Sequence, residues 1–484
     1  MNAILLVLAG YSVLLVALGA GIGRRVDSSG QFFVAGRQLG PGLLFATLLA
    51  ANIGAGSTVG AAGLGYRDGL AAWWWVGSAG IGTLALGLWV GPRIWKIARE
   101  RNLYTVGDYL ELRYGTSVRA IVAVLLWVAT LAILAGQLIA AAWVLNVAAG
   151  LPRWAGCLAA GGVMTAYFAA GGLLTSAWVN LVQLTVLLIG FAVALPFALH
   201  GAGGWEAIAA AAPPDRPDWL AFASSGASGW TWLFLLAPAF VVSPGLLQKV
   251  YGARDEATVR RAGVACGIAL LAFAFIPPLL GMSARVLAPA LSNPELALPT
   301  VLAEGVPLLV GGLALAALFS AEISSADAIL FMLSTSLSED LWKRFVRPDA
   351  TDREVLRIAR VAAVAGGGLG IALALALPSV IGALAIFYTL LTVSLFVPLI
   401  AGLYTDRPGT RQAIAAIAGG VATVAGARAA GLPGSGLGSP YVLGLAASGL
   451  FFRIAGLPIR RSRIRSSPPP ADPPPPDLPP RVPR

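Results

Sequence analysis

The stretch Leu48-Leu49-Ala50-Ala51-Asn52-Ile53-Gly54-Ala55-Gly56-Ser57-Thr58 sits in the middle of an apolar run, 41–66, yet does not read as an ordinary membrane helix. Two glycines with an asparagine and a serine at mid-depth weaken a helix where no water can replace lost backbone bonds. A second run, 230–250, is interrupted at comparable depth by Val242-Ser243-Pro244-Gly245. Proline removes a donor and clashes with the preceding turn, and glycine then frees the backbone. Taken singly, either feature also fits close helix packing or a simple kink. As a pair five spans apart they predict an inverted repeat of five helices each, with a binding site at the bilayer midplane.

The rest of the chain agrees with a membrane setting. Of 484 residues, 58% are hydrophobic and 11% charged, and the mean hydropathy is +0.81. A soluble chain of this length needs more charge to cover its surface. Hydropathy predicts about 13 spans, at 2–21, 41–66, 70–92, 120–148, 154–170, 176–199, 230–250, 262–281, 306–337, 361–377, 380–404, 413–426 and 441–457. The ninth is overlong and is expected to extend beyond the bilayer. The fold class is therefore an all-α membrane protein, and the lipid bilayer is its first partner. A net charge of +11 raises the question of nucleic acid, but the Lys and Arg lie between apolar spans instead of on one folded face, which excludes it.

With the N-terminus outside, only Arg67, Arg153, Arg216, Arg285 and Arg428 of the 33 Lys and Arg fall on the outer side. The positive-inside rule thus selects an outer N-terminus, a cytoplasmic C-terminus and a multi-pass protein of the cell's inner (plasma) membrane. The first 21 residues lack a signal peptide's basic n-region and cleavage site, so they read as a retained helix. The organisation is a first helix and loop (1–40), a first repeat (41–200) and an extracellular loop (201–229). A second repeat (230–404), two further helices (405–458) and a basic, then proline-rich, disordered tail (459–484) follow. Cys157 and Cys266 lie in apolar spans and indicate no disulfide framework. His200, the single histidine, ends a span and reads as interfacial; Trp73, Trp74 and Trp75, at the outer end of span three, either narrow the entrance or anchor at the interface, the interface role being the expected one.

Span nine carries Ala321-Glu322-Ile323-Ser324-Ser325-Ala326-Asp327. Residues 321, 324 and 325 share one helix face and offer a carbonyl and two hydroxyls, hard neutral oxygens suited to a hard cation. Unwound backbone in span two would supply further carbonyls. Serines in membrane helices also bond back to their own helix, which is the plain alternative. Glu322 and Asp327 are the acids placed well inside a span and are candidates for coupling. Glu322 points about 160° away from Ser324 at ideal helical spacing, so it is not expected to share a ligand shell. Asp327, one turn beyond Ser324, either favours the cation or caps toward the cytoplasmic end. Half-helix N-termini at the two breaks present N–H groups to an anionic solute, which nominates Asn52, Gly56, Ser57, Ser243 and Gly245 as substrate-binding residues.

The chain closely resembles the sodium:solute symporter family over roughly residues 31–404. The resemblance rests on motifs in order: Gly36-Arg37 with Leu39-Gly40; Ala50-Ala51-Asn52-Ile53; Tyr104-Thr105-Val106 with Leu110-Glu111-Leu112-Arg113-Tyr114-Gly115; Gly171-Gly172 followed by Gln183; Gln248-Lys249-Val250-Tyr251; Ala321-x-x-Ser324-Ser325-x-Asp327; and Ser338-Glu339-Asp340. It implies a LeuT-like core and alternating access, with sodium as the co-transported ion. Carried over by position, the sodium site would comprise the carbonyls of Ala50, Ile53 and Ala321 and the hydroxyls of Ser324 and Ser325. Asn180 stands where members with a second sodium carry an acid, which implies one ion per solute. Ser57 and Val76 stand where sugar-transporting members carry Gln and Glu, which disfavours a sugar.

The expected function is sodium-coupled uptake of a small organic solute, a carboxylate or amino acid, by a chain acting as a monomer. Proton-driven symport through Glu322 is the first rival, and a solute-binding membrane sensor the second. An enzyme is not expected, because no His–carboxylate cluster, metal-ligand spacing, Walker motif or activated nucleophile is present.

Overall fold

The computed structural model describes residues 37–223, 229–406 and 409–457 together with Gly10, Val13 and Ala17; the side chains of 166–183, Ser320, Ser324 and Asp327 are outside that description. The first predicted span, nearly all of it, and the tail from 458 lie outside the described residues. The described chain is helical, with nine helices long and apolar enough to cross a membrane and two shorter apolar ones, Pro41–Asn52 and Pro440–Ala455. Exposed Val124, Val128, Ile268, Val361, Val364 and Leu450 line the outside of the bundle, where lipid tails are their natural solvent.

Span two is two helices. Helix α1 (Pro41–Asn52) begins on a proline, whose missing N–H costs nothing at a first turn. It ends at Ile53, which is extended (φ −103°, ψ 101°). The chain resumes as one wide turn, Gly56–Gly60, and then α2 (Ala61–Asp68). Gly69 (φ +70°) reverses direction; a Cβ there would lie 1.8 Å from the Trp219 carbonyl oxygen, so only glycine fits. Helix α3 (Trp73–Ala85) and α4 (Gly91–Glu100) make span three. A short helix, α5 (Val106–Tyr114), is started by a Thr105–Asp108 capping box and leads into α6 (Thr116–Ala149), span four.

Spans five and six differ from expectation. One helical element, α7 (Arg153–Gly201), takes the place of both and includes the Gly171-Gly172 region expected to separate them. Its two ends nevertheless meet the same end of the bundle. Arg153 donates to Ala374 and Leu377 at the end of span ten, and Gly201 abuts Gly305 at the start of span nine. The loop after α7 holds α8 (Gly204–Ala210), and His200 is exposed.

Span seven repeats the design of span two. Helix α9 (Leu233–Val242) stops at Ser243 (φ −53°, ψ 120°), and α10 (Pro244–Tyr251) starts on Pro244. Helices α11 (Glu256–Phe273) and α12 (Ile276–Leu287) make span eight. Between spans eight and nine a hairpin carries Glu295 and α13 (Ala297–Glu304). Helix α14 (Leu308–Thr335) continues as wide turns through Ser336–Val346, so span nine extends as expected. Helices α15 (Asp352–Ala376), α16 (Val380–Leu391) and α17 (Val397–Tyr404) complete spans ten and eleven, and α18 (Thr410–Ala429) pairs with α19 (Pro440–Ala455).

Glycines set the closest approaches. A Cβ on Gly65 would meet the Pro278 carbonyl at 2.4 Å, and one on Gly281 the Ala62 carbonyl at 1.9 Å, so α2 and α12 touch backbone to backbone. At the arginine-rich end, Arg119 pairs with Asp108 (2.9 Å), Glu111 (2.8 Å) and Asp340 (2.8 Å). Burial acts to raise the Glu111 carboxyl, but bonds from Arg119, Arg344 and Thr116 outweigh it and hold the group below its ordinary value. Asp340 and Glu339 are nearly as buried as Glu322, so the buried acids outnumber the two picked out from hydropathy. These lie where the helix outruns the apolar stretch, a place hydropathy does not mark.

Candidate functional site

The two breaks face each other across a cavity. Its walls include Asn52, Gly56 and Ser57 from span two, Ser243 and Gly245 from span seven, and Ser325 from span nine. Every residue nominated for the substrate therefore lines one chamber, beside one member of the serine pair.

The break in span two supports that chamber with specific bonds. Ser325, 4% exposed, brings its hydroxyl 3.0 Å from the Ile53 carbonyl oxygen and 3.4 Å from that of Ala50. Gly54 makes this approach possible, since a Cβ there would lie 2.1 Å from Ser325 Oγ. These carbonyls lose their helical donors because the helix ends here: Gly54 N–H turns to Ser57 Oγ, and Ser57 N–H to the Gly54 carbonyl. Three of the five sodium-site positions thus converge. Ala321 lies within helix α14, and the side chain of Ser324 lies outside the described residues, as do those of Asp327 and Asn180.

The backbone donors freed at the break are partly spoken for. Gly54 N–H donates to Ser57 Oγ at 2.9 Å, and Ala55 N–H to Gln137 Oε1 at 2.8 Å. Ser57 Oγ also lies 3.1 Å from the carbonyl oxygens of Asn52 and Gly54, so this hydroxyl stabilises the break as much as it lines the cavity. Asn52 donates to Leu48 O at 2.6 Å, while its own buried oxygen has no hydrogen-bond partner. Glu322 is fully buried and accepts from Thr58 at 2.8 Å. It ties span nine to the turn after the break and takes no part in the serine-325 cluster.

Several lining residues carried no recognised signal. Gln137, on α6, reaches the break across 82 residues of chain; a lone amide at the middle of its span, it gave no sign in sequence of the partner it meets. Trp75 is 3% exposed and lines the cavity with Val76, Phe240, Phe387 and Tyr388, which corrects its reading as an interfacial anchor. Trp75 meets Trp232 edge-on (4.8 Å between centroids) and Tyr388 at 6.1 Å. Trp73 and Trp74 instead cluster with Phe222 near the bundle end. Leu384 is wedged between glycines: Cβ atoms on Gly56 and Gly136 would each approach it to 2.3 Å. On the far side of α16, Glu295 accepts from Val380 N–H at 2.7 Å and from Trp143 at 3.3 Å, fixing that helix's first turn to the hairpin.

A neutral cavity with aromatic walls, convergent oxygens and two broken helices suits recognition and release of a small solute beside a hard cation. Comparison with known proteins agrees. A family model described as the sodium:solute symporter family matches residues 32–420. The sodium/pantothenate symporter of Escherichia coli (strain K12) is 30% identical over 420 residues, spanning 81% of this chain and 83% of that protein. The sodium/glucose cotransporter of Vibrio parahaemolyticus is 25% identical over 401 residues, 74% of this chain and 72% of its own. Among solved structures, a Na+-coupled sialic acid symporter in a substrate-bound outward-open state superposes with a TM-score of 0.79 at 17% identity, covering 93% of this chain and 96% of that one.

Proposed function

We propose that this chain, which belongs to the sodium:solute symporter family, binds sodium at the Ser325 cluster and carries a small carboxylate-bearing solute in the neighbouring cavity. Sodium-coupled symport is the activity of the family, sodium is the co-transported ion, and the chain is a multi-pass membrane protein. The observation that carries the site assignment is the approach of Ser325 Oγ to the carbonyls of Ile53 and Ala50, at 3.0 and 3.4 Å. Oxygens that share a hard cation at about 2.4 Å and subtend a right angle lie about 3.4 Å apart, so these atoms need little rearrangement to hold sodium. Ala321 and Ser324 complete the proposed shell. Because it would join span two to span nine, the ion would hold the cavity walls together, and its departure would loosen them.

The solute class is argued from donors and shape. Among the described residues the cavity walls carry no Lys or Arg, so an anionic group would rest on N–H donors. With its oxygen committed to Ala55, Gln137 leaves its amide N–H donors for a ligand, and the second break begins a half-helix at Pro244. Pantothenate, which the Escherichia coli relative carries, is itself a carboxylate. Asn180 supports one sodium per solute. The concentration of Lys and Arg at one end supports a cytoplasmic face there, in a plasma membrane, and the complete cavity within one chain supports action as a monomer.

Uptake by vesicles of the purified protein tests this directly. Labelled amino acids, monocarboxylates, vitamins and sugars are offered with and without a sodium gradient. Accumulation of a carboxylate driven by sodium supports the reading. A pH gradient that replaces sodium would transfer the coupling role to Glu322.

A further inference from the structure

Toward the arginine-rich end lies a second, smaller chamber, lined by Thr130, Pro244, Gln248, Met332, Ser336 and Asp340 with their neighbours. Met332 belongs to the walls of both chambers. A methyl group on Gly245 would come within 2.9 Å of its sulfur, so the thioether and the glycine close the passage between them. One stripe of span nine borders the whole path: Ser325, Ile329 and Met332 above, then Met332, Ser336 and Asp340 below. Steps of three and four residues keep these side chains on one face. Pro244 and Gln248, one turn apart on α10, form the facing wall.

The lower chamber has the chemistry of a cation stop. Gln248 is 3% exposed, lines the chamber, and its amide oxygen has no hydrogen-bond partner. Ser336 donates to the Ala123 carbonyl at 3.4 Å, which leaves its oxygen lone pairs for a ligand. Asp340 adds a carboxylate, oriented by Thr105 (2.5 Å) and Arg119 (2.8 Å). The open volume, about 20 Å³, admits one small ion or one water. We propose that this chamber is a second, transient sodium position on the route of release to the cytoplasm, entered when Met332 swings aside. The proposal rests on the assignment of the Ser325 cluster and of the arginine-rich end to the cytoplasm.

Sodium alone is the probe. Equilibrium binding of 22Na+ to the purified full-length protein is measured beside the rate at which bound 22Na+ leaves on dilution. Gln248→Met keeps the volume and removes the oxygen, and is expected to slow release about tenfold while affinity stays within about twofold. Gln248→Glu, which keeps an oxygen at that place, is expected to release as the parent does. Release unchanged in the methionine variant, affinity and release changing together, or equal slowing in both variants would each overturn the proposal; a chamber holding only water gives the first of these. Ser325→Ala in the same assay separates the two ideas. Undiminished affinity there removes the serine-site reading, whereas the Gln248 comparison reads release whichever site binds first.

Discussion

Removing one oxygen from the Ser325 cluster is the sharpest perturbation available. Ser325 is 4% exposed, so its hydroxyl is largely shielded from bulk water. The lost atom stands 3.0 Å from the Ile53 carbonyl. Loss of a buried hydrogen-bonding or ligating oxygen costs about 1–3 kcal/mol, and the same range in a binding equilibrium corresponds to about 5–150-fold. Ser325→Ala is therefore expected to raise the half-activating sodium concentration at least about fivefold, while the protein still inserts, since the change adds no polar group. The assay is initial uptake into proteoliposomes across a sodium series at fixed solute, paired with a fluorescence melting curve that confirms folding. An unchanged sodium activation curve in a folded Ser325→Ala protein refutes the reasoning.

Four other outcomes are expected. Gly54→Ala places a Cβ 2.1 Å from Ser325 Oγ and 2.8 Å from Gln137 Oε1, so it should weaken sodium activation at least as much as Ser325→Ala; sodium titration of uptake checks this. Gln137→Leu leaves the buried Ala55 N–H without its partner and should lower stability by about 1–3 kcal/mol, read as a drop in melting temperature. With Asn180 in place of an acid, one sodium should accompany each solute, which a reversal-potential measurement giving two would exclude. Glu111 is held below its ordinary pKa in the folded chain, so its contribution is present above the unfolded carboxylate range and is lost as pH falls through the folded value. The melting-temperature gap between wild type and Glu111→Gln should accordingly shrink on acidification.

The architecture was legible because a bilayer punishes irregular backbone. Gly54, Gly56 and Pro244 could be seen in one dimension as faults, and their spacing implied a repeat. The nearness of Ser325 to the break was legible for a similar reason: positions 321, 324 and 325 obey a helical period, which singled out that face of span nine. What escaped were contacts that period cannot encode. Gln137 meets Ala55, Leu384 wedges between Gly56 and Gly136, and Met332 seals against Gly245 only after distant segments pack. Trp75 was misread because a tryptophan near a span end has two stable fates, lipid headgroups or a protein wall, and sequence position does not distinguish them. The donors at the break looked free from sequence, yet Ser57 and Gln137 take two of them.

The backbone contacts of α2 with α12 have a mechanical meaning. With no side chain between Gly65 and Pro278, or between Gly281 and Ala62, these segments have no compressible layer to slide on, so they move as one rigid body. The hairpin joins it, because Gly63 lies against Pro294 and Glu295 in the same way. Helix α1, on the other side of the break, packs instead on α7, α10, α11 and α14. The extended residue Ile53 then works as a joint between two bodies, and opening toward one face of the membrane need not drag the opposite half of span two along with it.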